Sequence, residues 1–417
     1  MIITPLRVPP DTTVVIPGSK SFTNRALVCA ALADGVSVLT GALAADDTEA
    51  MIGCLRALGV SIDIDVAASA IMVNGCGGVF PNERADLDVR QSGTTARFVL
   101  PLLAAGHGRY RLDAAPQMRA RPMGALIDAV RSLGAAIDEH GEPGHLPLTV
   151  VADGLHGNAV ALPGNTTSQF LSGLLLAAPY SDTGIAITLT SELVSRPYVD
   201  MTRSVMADFG VRVGDDLVVP VGRYRARTYA IEPDASGASY FFAAAAITGG
   251  RIRIEGLGSG SGQGDIAFVE VLRRMGAAVE QTPTSTTVVG GPLRGIDVDM
   301  REISDTVPTL AVVAAFASTP TRISGVGFIR NKESDRIDAV VTELRRCGVD
   351  AVENADGMTI TPAPIHSATV QTYDDHRMAM AFALLGLVRP GIDIADPGCV
   401  AKTFPTYWRV LEELRRP

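Results

Sequence analysis

The sequence is poor in the features that define several common protein classes. It has five cysteines (Cys29, Cys54, Cys76, Cys347 and Cys399), scattered, odd in number and without CxxC spacing. That pattern fits reduced thiols in a cytoplasmic protein and argues against a disulfide scaffold or a metal site. No apolar run reaches bilayer-spanning length. The opening Met1-Ile2-Ile3-Thr4-Pro5 lacks the basic-then-apolar pattern of a signal peptide, so a cytoplasmic location is expected. No run of Lys and Arg occurs, and the net charge of −9 argues against a general nucleic-acid binder. An anionic ligand would therefore need its basic partners gathered in one place, because the global field repels it.

What is present describes a well-buried globule, with 47% hydrophobic and 19% charged residues. At 417 residues the chain is too long for one ordinary core, so two domains are expected. Self-similarity sharpens this. An Ala/Leu-rich helical run, then Gly or Pro, then a short β-type run recurs six times, with helices at 26–33, 98–105, 170–178, 240–248, 310–317 and 378–388. The period of roughly 70 residues is too long for the familiar solenoids. A second, amphipathic helix repeats in step and closes at Gly59, Gly134, Gly210, Gly276 and Gly348; the sixth copy, 410–416, ends with the chain. Glycine followed by Val/Ala alternation reads as helix, left-handed cap, strand. The first helix type is apolar all round and should be buried, whereas the second has one wet face. Six units are most simply three plus three, with the chain crossing between domains near Ile231 to Asp234.

The polar residues at the buried helix starts carry the chemical signal. PGSKSFTNR (17–25) follows a β-type run, and Ser19 or Ser21 can cap the helix after it. Lys20, Ser21 and Arg25 then stand on turns whose free N–H groups and positive dipole end favour an anion. The corresponding strings are QSGTTAR (91–97), TTSQ (166–169), DASGAS (234–239), SDT (304–306) and DDHR (374–377). Ser, Thr and Asp are good caps in their own right. Arg and Lys there oppose the dipole unless an anion lies between. Three further stretches, MRARP (118–122), RNKESDR (330–336) and AKTFP (401–405), precede or open helices. Together they offer the cations Lys20, Arg25, Arg121, Lys332, Arg336, Arg377 and Lys402 and the carboxylates Asp305 and Glu333. That set suits multiply charged phosphate and carboxylate ligands with proton transfer.

At this point the chain resembles the EPSP synthase family, the 3-phosphoshikimate 1-carboxyvinyltransferases. The strings PGSKSFTNR, RARP, TTSQF, LVSRPYVDMT, DASGASYFFAAAAI, SDT, NKESDR, DDHRMAM and AKTFP occur in family order from Pro17 to Pro405. The resemblance implies a two-domain inside-out α/β barrel of six repeated α/β units, three per domain. The expected boundaries are 20–232 for one domain and 1–19 with 233–417 for the other, with the active site in the cleft between them. It implies transfer of enolpyruvyl from phosphoenolpyruvate to the 5-hydroxyl of shikimate 3-phosphate by addition and elimination, with no cofactor and no metal. A cytoplasmic monomer with no nucleic-acid or membrane partner is expected.

Carried over by position, Lys20, Ser21, Arg25, Thr167, Ser168, Gln169, Ser195, Asp305 and Lys332 would hold shikimate 3-phosphate. Lys20, Gln91, Gly93, Arg121, Gln169, Arg336, Arg377 and Lys402 would hold phosphoenolpyruvate. Asp305 resembles the base for the 5-hydroxyl and Glu333 the group that moves the methylene proton, with Lys20 and Lys402 beside the reacting atoms. Arginine forks bind carboxylate and phosphate bidentately, which gives the assignment its physical sense. The family commonly has Asn at the positions of Gln91 and Phe328, a departure at both. Gly93 keeps the small residue beside the phosphate, so glyphosate should compete. The alternatives are the sister transferase acting on UDP-N-acetylglucosamine, which usually carries a Cys in the loop matching 116–121, and a non-catalytic paralogue that binds a phosphorylated metabolite. The terminal pair Tyr407 and Trp408 is assigned to docking the last helix, and nothing near Cys399 suggests an activated thiolate.

Overall fold

The structure, a computed structural model, describes residues 1–415. The chain divides into two compact units, Gly18–Ile231, and Met1–Pro17 joined with the chain from Glu232 onward. Each has its own core of buried apolar residues.

Eight helices position the residues discussed below: α1 (Lys20–Leu32), α2 (Gly93–Ala105), α3 (Ser168–Ala177), α4 (Arg196–Asp208), α5 (Ala235–Thr248), α6 (Val307–Ala314), α7 (Arg336–Arg346) and α8 (His376–Val388). Six of them, α1, α2, α3, α5, α6 and α8, are the repeated apolar runs. They are buried on nearly every face, as helices without a polar stripe must be. α5 begins at Ala235, not near Tyr240, because Asp234 caps it by accepting from the Gly237 N–H at 2.7 Å. α6 starts one turn earlier than its apolar run, directly after a 3₁₀ segment, Arg301–Thr306, that contains Asp305.

The amphipathic helices end at Gly59, Gly134, Gly210, Gly276 and Gly348, all with left-handed φ, as the repeat predicts. The described part of the sixth copy is the helix Tyr407–Glu413; Arg416, the end of the expected run, lies outside the described residues. Tyr407 donates its hydroxyl to the Met380 carbonyl at 2.7 Å and Trp408 its indole N–H to the Pro397 carbonyl at 2.8 Å, which docks this helix on α8 and on the turn before it.

The sheets are small and alike. In the Gly18–Ile231 unit, Asp34–Thr40 pairs parallel with Thr228–Ala230 and antiparallel with Ala70–Cys76. His107–Asp113 does the same with Arg84–Asp88 and Leu148–Asp153, and Ile185–Leu189 with Ala159–Leu162 and Val218–Val219. In the other unit Arg251–Glu255, Thr321–Ser324 and Ile392–Ile394 play this part. Each of these six strands follows a buried helix, and each has one parallel and one antiparallel neighbour. Helices inside and half-wet sheets outside define an inside-out α/β architecture, three repeats to a unit.

Candidate active site

In the Gly18–Ile231 unit, the first turns of α1, α2 and α3 carry the predicted ligands. Ser19 caps α1, and its Oγ accepts from the Phe22 N–H at 3.4 Å. Lys20, the first helical residue, sets its Nζ 3.1 Å from Asp47, a carboxylate only 3% exposed. The Asp47 carbonyl also accepts from Thr95 of α2 at 3.3 Å, which ties the start of α2 to Asp47, the partner of Lys20. Ser21 is half-buried beside it.

α2 is capped by Ser92, and half-buried Gln91 stands in the turn ahead of it. At Gly93 a Cβ would lie 2.5 Å from one guanidinium nitrogen of Arg121 and 2.5 Å from one of Arg97. Glycine is therefore required for close approach, and two cations converge on one helix N-terminus. Like charges so placed at a helix N-terminus would favour an anion between them. Arg97 also donates to the Gln169 Oε1 at 2.9 Å, and the Gln169 amide reaches Thr94 at 3.2 Å. Gln169 stands on the first turn of α3 behind the cap Thr167 and the buried Ser168. One turn on, Gly173 has no Cβ to strike the Arg97 carbonyl, which a Cβ would meet at 2.2 Å, so α3 can lie against α2.

Arg25 takes a different course. It is 1% exposed, and its guanidinium turns inward to Thr202 Oγ1 (2.8 Å), the Ser21 carbonyl (2.9 Å) and the Tyr198 carbonyl (2.9 Å). Burial lowers its pKa to about 10. Arg25 thus fixes α4 against α1. Ser195, at the N-cap of α4, is held at a left-handed φ of 53°, a conformation that costs a non-glycine residue about 1–3 kcal/mol.

In the unit containing Glu232 onward, four cations and three carboxylates interlock. Arg336, the first residue of α7, donates to Asp375 (2.8 and 3.3 Å), to Glu333 (2.7 Å) and to Asp305 (3.1 Å). Burial opposes its charge, yet Asp375, Glu333 and Asp305 together outweigh burial and hold its pKa above the ordinary arginine value. Asp305 also takes Arg377 at 2.7 Å and lies 3.7 Å from the Lys332 ammonium. Glu333 lies 3.4 Å from the Lys402 ammonium. Arg377 points a second nitrogen at the Tyr240 hydroxyl (3.5 Å), whose pKa burial pushes up to about 12. His376, 1% exposed, has its Nδ1 3.6 Å from Asp375.

The structure thus brings Asp305, Glu333, Lys332, Arg336, Arg377 and Lys402 into one cluster, and Gly93, Arg121 and Gln169 into another through Arg97. Sequence reasoning did not single out Asp47, Arg97 and Asp375, which partner Lys20, Gln169 and Arg336. Arg97 and Asp375 stood inside the strings QSGTTAR and DDHR, and Asp47 gave only the signal of a first-turn acid. Phe328 packs against the core of its unit. The Cys399 thiol is pushed up to about 12 by burial, the opposite of activation. Among the described residues, no group of three or more His, Cys, Asp or Glu is placed to hold a metal ion, and no helix is long and apolar enough to cross a membrane.

Residues 8–411 match the family model of EPSP synthase (3-phosphoshikimate 1-carboxyvinyltransferase). The chain belongs to the EPSP synthase family. The 3-phosphoshikimate 1-carboxyvinyltransferase of Nostoc punctiforme is 51% identical over 406 residues, covering 96% of this chain and 95% of that protein. The chloroplastic 3-phosphoshikimate 1-carboxyvinyltransferase 1 of Nicotiana tabacum is 44% identical over 428 residues, covering 96% of this chain and 82% of that one. The solved EPSP synthase of Acinetobacter baumannii has a TM-score of 0.81 at 27% identity, covering 99% of this chain and 97% of that one. The enolpyruvyl transferase NikO from Streptomyces tendae shares the fold, with a TM-score of 0.78 at 19% identity and coverage of 99% and 96%. As an EPSP synthase family member the chain is a transferase, of the shikimate pathway by the family's name. The strings on which the resemblance was drawn lie within the matched span.

Proposed function

We propose that this chain transfers the enolpyruvyl group of phosphoenolpyruvate to the 5-hydroxyl of shikimate 3-phosphate, with the residue roles as follows. Arg121, Arg336, Arg377 and Lys402, with Gly93 and Gln91, hold phosphoenolpyruvate. Ser21, Thr167, Ser168, Ser195 and Lys332 hold shikimate 3-phosphate, Lys20 and Gln169 serve both, and Arg25 supports the site from behind by bracing α4, which carries Ser195. The observation that carries this reading is the placement of Asp305 and Glu333. Each is a carboxylate flanked by cations, yet bridged to the other through one arginine, Arg336.

In the proposed sequence Asp305 takes the proton of the 5-hydroxyl as that oxygen bonds to C2 of phosphoenolpyruvate. Glu333, in its protonated form, delivers a proton to C3, giving a tetrahedral ketal phosphate. The carboxylate of Glu333 then takes back a C3 proton as the C2–O bond to phosphate breaks, leaving the enol ether and inorganic phosphate, and the proton held by Asp305 departs with the phosphate. The surrounding cations stabilise charge as it shifts between oxygens. The same reading takes the protein to be a cytoplasmic monomer, in keeping with five cysteines of which none is paired.

Phosphate release from phosphoenolpyruvate tests the reading. It should require shikimate 3-phosphate and collapse in Asp305→Ala and Glu333→Ala. Tight binding of shikimate 3-phosphate without release would reduce the protein to a metabolite binder.

A further inference from the structure

α7 grips the segment before α8 at two points two helical turns apart. At its N-terminus Arg336 holds Asp375. Seven residues on, and so on the same helical face, Glu343 holds the start of that segment. Its carboxylate is fully buried and accepts from the Gln371 N–H at 3.0 Å, the Tyr373 hydroxyl at 2.7 Å and Arg346 Nε at 2.9 Å. A buried carboxylate is retained only where such donors surround it.

Between the Gln371 N–H and Asp375 lie Tyr373, itself held by Glu343, and Asp374, consecutive non-glycine residues at left-handed φ of 55° and 53°. A side chain disfavours that conformation, so something outside the two residues must enforce it. The turn leads directly into Asp375, which caps α8 by accepting from the Arg377 N–H at 2.9 Å while it receives Arg336.

We propose that Glu343 is a positioning residue, which enforces the left-handed turn at Tyr373 and Asp374 and so seats Asp375 against Arg336. It touches no substrate in this account. Its effect runs through Asp375 to the orientation of the Arg336 guanidinium, and thence to Asp305 and Glu333. The kinetic half of the test below rests on the reading of Arg336 as a phosphoenolpyruvate ligand; the spectroscopic half does not.

The decisive variant is Glu343→Met, which keeps the length of the side chain and removes the acceptor. Glu343→Gln is the conservative partner, since its amide can accept from Gln371 and donate to the Tyr373 hydroxyl. Asp374→Gly, placed on Glu343→Met, supplies a residue at home at positive φ. In ¹⁵N-arginine-labelled protein, assigned with Arg336→Lys, the Arg336 Nε–H should exchange with solvent about tenfold faster or more in Glu343→Met. The KM for phosphoenolpyruvate should rise about tenfold while that for shikimate 3-phosphate stays within about twofold. Glu343→Gln should match the wild type, and Asp374→Gly should recover most of the loss in both readouts.

Unchanged Arg336 exchange in a folded Glu343→Met protein would overturn the proposal, as would a loss that Asp374→Gly does not recover. A wild type inactive on both substrates would sink the functional reading alone, since the exchange measurement still decides the role of Glu343. Should Glu343→Met not fold, Tyr373→Phe, which removes one of the three donors, is read by the same exchange signal. A smaller acceleration in the same direction would support the proposal, and none would overturn it.

Discussion

Asp375 meets Arg336 side-on, with Oδ2 taking Nε at 2.8 Å and Oδ1 taking Nη2 at 3.3 Å, and both side chains are 1% exposed or less. Breaking an isolated buried pair costs about 3–5 kcal/mol, and the cost here should be smaller because Glu333 and Asp305 still face Arg336. Asp375→Asn is therefore expected to lower the melting temperature by several degrees and to cut kcat/KM for phosphoenolpyruvate about a hundredfold. Calorimetry and steady-state kinetics check the two separately. A stable variant with full activity would show that Arg336 needs only Glu333 and Asp305.

Gly93 gives the opposite balance. The groups that a Cβ would strike are the guanidinium ends of two arginine side chains and not backbone, so they can give way without a shift of the main chain. Gly93→Ala should leave the melting temperature unchanged and raise the KM for phosphoenolpyruvate about tenfold. Glyphosate, if it shares this anion site, should lose potency alongside. A variant in which the KM holds steady would place the phosphate elsewhere.

Thr202 is the acceptor for Arg25 Nε and in turn donates to the Tyr198 carbonyl at 2.8 Å. Thr202→Val preserves shape but orphans a buried charged donor, at about 1–3 kcal/mol. The expected result is a melting temperature lower by a few degrees, together with a raised KM for shikimate 3-phosphate as Ser195 at the start of α4 loosens. If stability falls while that KM does not, Arg25 is a brace with no bearing on the substrate.

Glu232 supplies a pH dependence. Burial raises its pKa above the ordinary carboxylate value, against donors from Ser261 and Gln263. A raised carboxylate pKa means that the folded state binds the proton more tightly than the unfolded chain. Its contribution to stability is then fully present below the unfolded pKa and is lost as pH rises through the folded one. Glu232→Gln should melt at the same temperature as the wild type near pH 4 and above it at pH 7. Identical melting curves across that range would mean that the carboxylate is fully solvated when ionised.

The fold was largely legible because its logic is local. A helix apolar on all faces has nowhere to go but inside, and Gly276 or Gly348 after an amphipathic run announces the turn to a strand. The site was legible only as a set of charged helix starts. Asp375 reads in sequence as a plain N-cap, which it is, since the Arg377 N–H bond is local; its second task, holding Arg336, depends on a segment 39 residues away. Arg25 shows the converse. A cation on a first turn announces a ligand equally well whether its guanidinium points outward or, as here, into Thr202 and Tyr198. Which way it turns is set by α4, 177 residues further on for the Thr202 contact.

The unit that holds Arg336 is built from both ends of the chain. Ile2–Ile3 pairs with Ile392–Ile394, and Asp11–Thr13 with Arg251–Glu255. The Gly18–Ile231 segment holds its sheet partners within itself; Asp11–Thr13 can pair once Arg251–Glu255 is made, whereas Ile2–Ile3 waits for Ile392–Ile394. Ile2–Ile3 thus stays an unpaired edge until Ile392–Ile394 has been made, a contact of very high sequence separation. Losing Ile392–Ile394 would cost Ile2–Ile3 its place as well.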